Sequence, residues 1–135
     1  MAHAGQEIEG FGGFRLLLLR TAAETDGELL EMEATYPGGA DLPPAHLHPS
    51  QHERFEVLEG AVRTVIGGDE RRYDAGDRFE IPPGTVHQMT GDGPARVRWE
   101  VTPALRTAEF FERLFGGRGE DLREEFAAEI RYPGA

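Results

Sequence analysis

At 135 residues the chain fits one domain with its own core, and 25 acidic against 14 basic residues give a net charge of −11. That charge repels phosphate backbones and anionic lipid surfaces, so neither nucleic acid nor membrane is expected as a partner. With no cysteine, disulfides, thiolate metal sites and thiol nucleophiles are excluded, and any bound metal must accept nitrogen and oxygen ligands.

Residues 1–13 read as a loose leader ending at Gly12-Gly13, in which His3 has no expected role. No basic region followed by a long apolar run precedes the first strand, so a cytoplasmic protein is the default expectation. Phe14 to Arg20 reads as that strand, and its continuous leucines suggest burial on both faces. Leu30 to Tyr36 alternates more cleanly, with Leu30, Met32, Ala34 and Tyr36 facing inward and Glu31, Glu33 and Thr35 on a wet side. Pro37-Gly38-Gly39 ends it, and Pro43-Pro44 keep the approach to His46 extended.

The stretch His46-Leu47-His48-Pro49-Ser50-Gln51-His52-Glu53 packs three imidazoles and a carboxylate into eight residues. On an extended chain, side chains at i and i+2 share a face, so His46 and His48 can hold one ion from the same side. In the strand that follows, Glu53, Phe55 and Val57 share the apolar face while His52, Arg54 and Glu56 take the other. His52 is therefore expected to be solvated or at an interface. A fourth ligand has to come from elsewhere, and His87 is the remaining histidine after this stretch.

Glu59-Gly60 turns into a strand carrying Val62, Thr64 and Ile66, and Gly67-Gly68-Asp69 closes a hairpin. Asp74-Ala75-Gly76-Asp77 is a further turn before Phe79 and Ile81, and Pro82-Pro83-Gly84 then aims His87 inward. His87 and Met89 share a face, and Ala95, Val97, Trp99 and Val101 form a last strand after Gly91-Asp92-Gly93-Pro94. About eight short strands at regular spacing, between turns rich in glycine and proline, indicate an all-β barrel. Beyond them the period changes to about 3.6. Thr102-Pro103 reads as a helix start, with Leu105, Ala108, Phe111 and Phe115 as its apolar stripe up to Gly116-Gly117. A second short helix is expected from Asp121, with Glu124 at the capping-box position and Leu122, Phe126 and Ile130 on one side.

Two spacings resemble the signature of the cupin superfamily, in particular the small bacterial single-domain cupins. His46-x-His48-x4-Glu53-x6-Gly60 is similar to the first cupin motif, and Gly76-x5-Pro82-x-Gly84-x2-His87 to the second. Gly39 lies one residue farther from His46 than in the usual pattern, and Gly91 stands where an asparagine often closes the second motif. The resemblance implies a double-stranded β-helix, or jelly-roll barrel, over 14–101, and a C-terminal helical extension over 102–135 packing on it. It also implies one divalent transition metal per chain (Fe, Mn, Ni, Cu or Zn) held by His46, His48, Glu53 and His87, the same four residues that strand parity brings forward.

Phe55, Thr64, Met89 and Trp99 are the expected pocket lining, and Tyr36, Thr64 and Gln88 are the nearest candidates for a general base, though no motif places one. Three functions remain open: a mononuclear metalloenzyme of oxygenase, isomerase or cyclase type acting on a small organic substrate; a non-catalytic metal-dependent binding or sensing module; and a barrel in which metal serves only stability. The Phe110-Phe111 pair and the leucine run exceed what one barrel face needs, so a homodimer is expected.

Overall fold

Inward-facing side chains at alternate positions build two antiparallel sheets. The computed structural model describes residues 2–117 and 121–133. The strands are β1 (Glu7–Glu9), β2 (Arg15–Arg20), β3 (Leu30–Tyr36), β4 (His52–Glu59), β5 (Ala61–Ile66), β6 (Asp69–Asp74), β7 (Arg78–Ile81), β8 (His87–Gly91) and β9 (Ala95–Thr102). A short helix α1 (Ala22–Thr25) joins β2 to β3, and α2 (Thr107–Phe115) follows β9. One sheet has six strands in the order β1-β2-β3-β9-β4-β7, and the other has three in the order β6-β5-β8. Together they form a double-stranded β-helix, the all-β architecture expected from the sequence.

The register explains the core. Leu30, Met32 and Ala34 of β3 lie opposite Val101, Trp99 and Val97 of β9, and Phe55 of β4 lies opposite both Trp99 and Phe79. All of these are buried, and each full burial of a large apolar side chain contributes about 1.5–3 kcal/mol. On the other face of the six-stranded sheet, Glu31 receives Arg20 and Arg98, while Arg96 pairs with Glu33 and Glu59. Glu31 is itself 4% exposed, so the side expected to be wet is closed over this carboxylate by arginine stems.

Several local expectations need correction. The loose leader contains β1, whose residues Glu7, Ile8 and Glu9 pair with Leu17, Leu16 and Arg15, and Ile8 is buried. A three-residue strand with one apolar side chain has no readable period, and it forms because the edge of β2 offers unpaired backbone groups. Thr21-x-x-Glu24 forms a capping box at α1, a readable signal that the strand-by-strand reading passed over. Helix α2 begins at Thr107 rather than Pro103, because Thr102 is the last rung of β9, opposite His52, and Leu105 has φ 45°. The segment from Asp121 forms successive turns instead of a second helix, with bonds from Phe126 N to Leu122 O and from Glu129 N to Phe126 O. Its stripe is nonetheless used, since Leu122, Phe126 and Ile130 are buried with Phe110.

Part of the apolar surplus behind the homodimer expectation is taken up within the chain, while Leu17 and Leu19 of the leucine run stay half-buried. Leu16 and Leu18 are fully buried, Phe110 packs on Phe126, and Phe111 packs on Trp99. Among the described residues no helix is long and apolar enough to cross a membrane.

Candidate metal centre

The segment His46–His48 is held between β8 and residues 129–132, a C-terminal strap laid against it. His46 exchanges two backbone hydrogen bonds with His87, at 3.1 and 2.8 Å, and Leu47 exchanges two with Arg131, both at 2.9 Å. These bonds put His46 and His48 on one side of an extended chain, facing His87 at the start of β8. The Pro82-Pro83-Gly84 turn is tied in by the Gly84 N–H, which donates to the His48 carbonyl at 2.8 Å. Ring centroids lie 5.2 Å apart for His46 and His48, 4.4 Å for His46 and His87, and 5.2 Å for His48 and His87.

Each ring is oriented by a backbone carbonyl. Nδ1 of His46 donates to Pro44 at 3.1 Å, that of His48 to Glu129 at 2.7 Å, and that of His87 to Thr85 at 2.8 Å. A carbonyl oxygen only accepts, so the proton sits on Nδ1 and the Nε2 atoms are left to face inward. One ligand atom from each of the three rings lies within 4.8 Å of the others.

Glu53, 1% exposed on β4, completes the cluster. Its Oε1 lies 3.3 Å from His48 Nε2 and 3.2 Å from His87 Nε2, while its Oε2 accepts the indole N–H of Trp99 at 2.8 Å. Burial alone would raise its carboxyl, but His87, then His48 and His46, hold it below the ordinary carboxylate range. For His87, burial pushes the imidazole down and the Glu53 carboxylate outweighs it, so the net direction is up. Burial, followed by repulsion from His87, pushes His46 down to about 4.

His48 Nε2 and Glu53 Oε1 are buried without a well-aligned hydrogen-bond partner. Such atoms cost stability unless something satisfies them, and a cation between three imidazole nitrogens and a carboxylate oxygen does so. The donor set therefore fits a divalent transition metal. His52 lies on the other face of β4, 3.1 Å from Glu80, and takes no part.

A cavity of about 450 Å³ opens over the cluster, and His46, His48, Glu53 and His87 all contribute to its wall. Phe55, Met89 and Trp99 line it as expected. Thr64 does not: it is buried opposite Met89 and turns its hydroxyl to the Arg71 carbonyl. Tyr36 lines the cavity, and burial, aided by the Glu53 charge, pushes its phenol well above the ordinary value. Gln88 does not line it and instead pins the approach to His46, its amide donating to the Pro43 carbonyl at 2.8 Å.

Sequence reasoning missed the role of Trp99 as donor to Glu53, and it missed the C-terminal strap, which supplies Glu129, Ile130 and Tyr132 to the wall. The three carbonyls that orient the rings have no side-chain signal at all. Gly91, where the second motif departs, has a packing reason. A Cβ there would meet the Gly93 carbonyl oxygen at 2.7 Å and Tyr36 Cβ at 2.8 Å.

The family model for the cupin domain matches residues 32–102. The chain belongs to the cupin family. As a cupin it is 29% identical over 75 residues to quercetin 2,3-dioxygenase of Bacillus subtilis (strain 168), a match covering 56% of this chain and 22% of that protein. The chain thus spans about a fifth of the length of that relative. Among solved structures it resembles KdgF from Halomonas sp. (TM-score 0.64, 21% identity, 73% of this chain and 86% of that one). It also resembles a predicted oxalate decarboxylase from Thermotoga maritima (TM-score 0.65, 17% identity, 76% of this chain and 99% of that one). At these identities the structural likenesses speak for the shared fold.

Proposed function

We propose that this cupin is a mononuclear metalloenzyme of oxygenase, isomerase or cyclase type, acting on a small organic substrate. In this reading His46, His48, Glu53 and His87 hold one divalent ion. The observation that carries it is the convergence of three Nε2 atoms, each set by a carbonyl bond at Nδ1, with Glu53 Oε1 at the wall of a 450 Å³ cavity. The distant likeness to a quercetin dioxygenase supports the same direction.

When bound, the ion supplies a Lewis-acid or redox centre. The chain's own residues do the rest. Trp99 holds Glu53 Oε2, so Oε1 points at the imidazoles. Phe55, Trp99, Phe111 and Tyr132 give the cavity around the centre an aromatic wall. Tyr36 and Tyr132 line the same cavity, and burial pushes both phenols further up, so each offers a neutral hydroxyl to a bound molecule.

The test is metal analysis of protein purified without a histidine tag. About one divalent ion per chain is expected, and its loss in His46→Ala and His87→Ala. A folded wild type that stays metal-free after supplementation overturns the metal centre. Turnover is then screened with the Fe(II), Mn(II) and Ni(II) forms against phenolic, diketone and sugar substrates. Tight binding of an unmodified ligand with no turnover supports the binding module instead.

A further inference from the structure

We propose, building on the metal centre above, that the cavity selects a neutral, flat aromatic molecule carrying a hydroxyl group and rejects small anions such as oxalate or phosphate esters. The first ground is charge. Among the described residues the cavity wall has no lysine or arginine, and its charged side chains, Asp41, Glu53 and Glu129, are all acidic. Recognition of a carboxylate or phosphate ordinarily relies on a guanidinium fork or an ammonium. Three neutral imidazoles and Glu53 would leave a divalent ion with one net positive charge, and the other acidic side chains of the wall, Asp41 and Glu129, add no cation to hold an anion. An anion entering this wall meets like charge, whereas a hydroxyl can donate to its acceptors.

The second ground is the arrangement of rings. Trp99, which binds Glu53, contacts Phe111 at 5.5 Å between centroids. Phe111 lies parallel to Phe115 at 5.9 Å and an interplanar angle of 7°, and Phe115 meets Phe11 edge-on at 5.2 Å. This run leads from the metal ligands to solvent, where Phe11 is 64% exposed. Aromatic faces and edges favour stacked or edge-on rings, and a continuous wall of them fits a flat ring system better than a sugar or a short diacid. The volume lies in the range of about 300–1,000 Å³ usual for drug-sized ligands. Phe11, between Gly10 and Gly12, is thus a specificity-determining residue at the entrance.

The experiment is isothermal titration calorimetry of the Zn(II)-reconstituted full chain, with zinc content measured on the same samples. The probes are 2-naphthol, 2-naphthyl phosphate and oxalate; the first two share a ring system and differ in charge. Binding of 2-naphthol at least about tenfold tighter than of either anion is expected. Phe11→Ala, at an exposed position that leaves the core intact, is expected to weaken 2-naphthol by about threefold to tenfold. Leu114→Lys, at a half-buried position of the wall, is expected to narrow or reverse the preference for 2-naphthol over its phosphate.

Zinc-stoichiometric protein that binds either anion as tightly as 2-naphthol, or fails to bind 2-naphthol, overturns the inference and leaves the metal centre standing. Protein that takes up no zinc yet still prefers 2-naphthol overturns the metal centre alone.

Discussion

Trp99 donates its indole N–H to Glu53 Oε2 at 2.8 Å, and this one bond leaves Oε1 facing His48 and His87. The two residues sit on neighbouring strands β4 and β9, so the bond is fixed by sheet register rather than by a flexible loop. Trp99→Phe keeps an aromatic ring in the wall but removes the donor. Because partners that orient a ligand matter nearly as much as the ligand itself, metal affinity is expected to fall about 10–100-fold with the fold retained. A chelator competition with circular dichroism on the same sample measures this, and unchanged affinity would show that Glu53 needs no such orientation.

Legibility in the sequence followed the length of the pattern. β3, β4 and β9 alternate over seven or eight residues, and their inward sets were readable because one face of each is buried. His46, His48, Glu53 and His87 stood out because parity and two motif spacings agreed; the structure gathers one ring nitrogen of each histidine within 4.8 Å of the others and sets Glu53 Oε1 3.3 Å from His48 Nε2 and 3.2 Å from His87 Nε2. The start of α2 was misplaced because local chemistry at Thr102-Pro103 looks like a cap, while the long-range pairing of Thr102 with His52 decides the matter. Thr64 was misplaced for a similar reason. Parity shows that it points inward, but not which part of the interior is cavity. The C-terminal strap was hidden because its contacts with His48 and Leu47 run through backbone atoms.

That strap supplies a second test. The Arg131 N–H donates to the Leu47 carbonyl at 2.9 Å, and two residues earlier the Glu129 carbonyl accepts from His48 Nδ1. Arg131→Pro removes the donor and clashes with close pairing, so it should free the strap from Leu47 and loosen the His48 ring. Weaker metal binding is expected, with most of the sheet protected in amide hydrogen exchange. Arg131→Ala keeps both backbone bonds and serves as the control, and equal metal affinity in the two variants would remove the strap from any role at the site.

Gln51 explains how the helix end is fastened to the barrel. Its side chain is 1% exposed, and Nε2 lies 2.9 Å from the Pro103 carbonyl, 3.1 Å from that of Ala104 and 2.7 Å from Thr107 Oγ1. The Pro103 carbonyl and the buried Ala104 carbonyl, which also accepts from the Thr107 N–H at 3.3 Å, thus share one amide. Gln51→Leu conserves much of the volume and leaves both carbonyls without this donor, at an expected cost of about 1–3 kcal/mol. Urea denaturation reads this directly, and a change below about 0.5 kcal/mol would mean that water or a rearranged backbone replaces the amide.

Glu31 predicts the acid side of the stability profile. It lies almost wholly buried between Arg20 Nε at 2.8 Å and Arg98 Nε at 2.7 Å. Burial alone would raise its carboxyl, but hydrogen bonds from Arg20 and Arg98, with their charges, hold it below the ordinary value of 4.5. A carboxyl with a lower value folded than unfolded binds its proton more tightly in the unfolded chain. The stabilisation it gives is therefore complete above the unfolded value and is lost as pH falls through the folded one. Glu31→Gln removes that titration, so the variant should be less stable than wild type by about 1–3 kcal/mol at pH 7. The gap should stay constant down to about pH 5 and then close as the wild-type carboxylate protonates. Urea midpoints at pH 7, 5, 4 and 3 decide it. A gap that persists unchanged at pH 3 would assign the stabilisation to packing of the arginine stems rather than to the charge on Glu31.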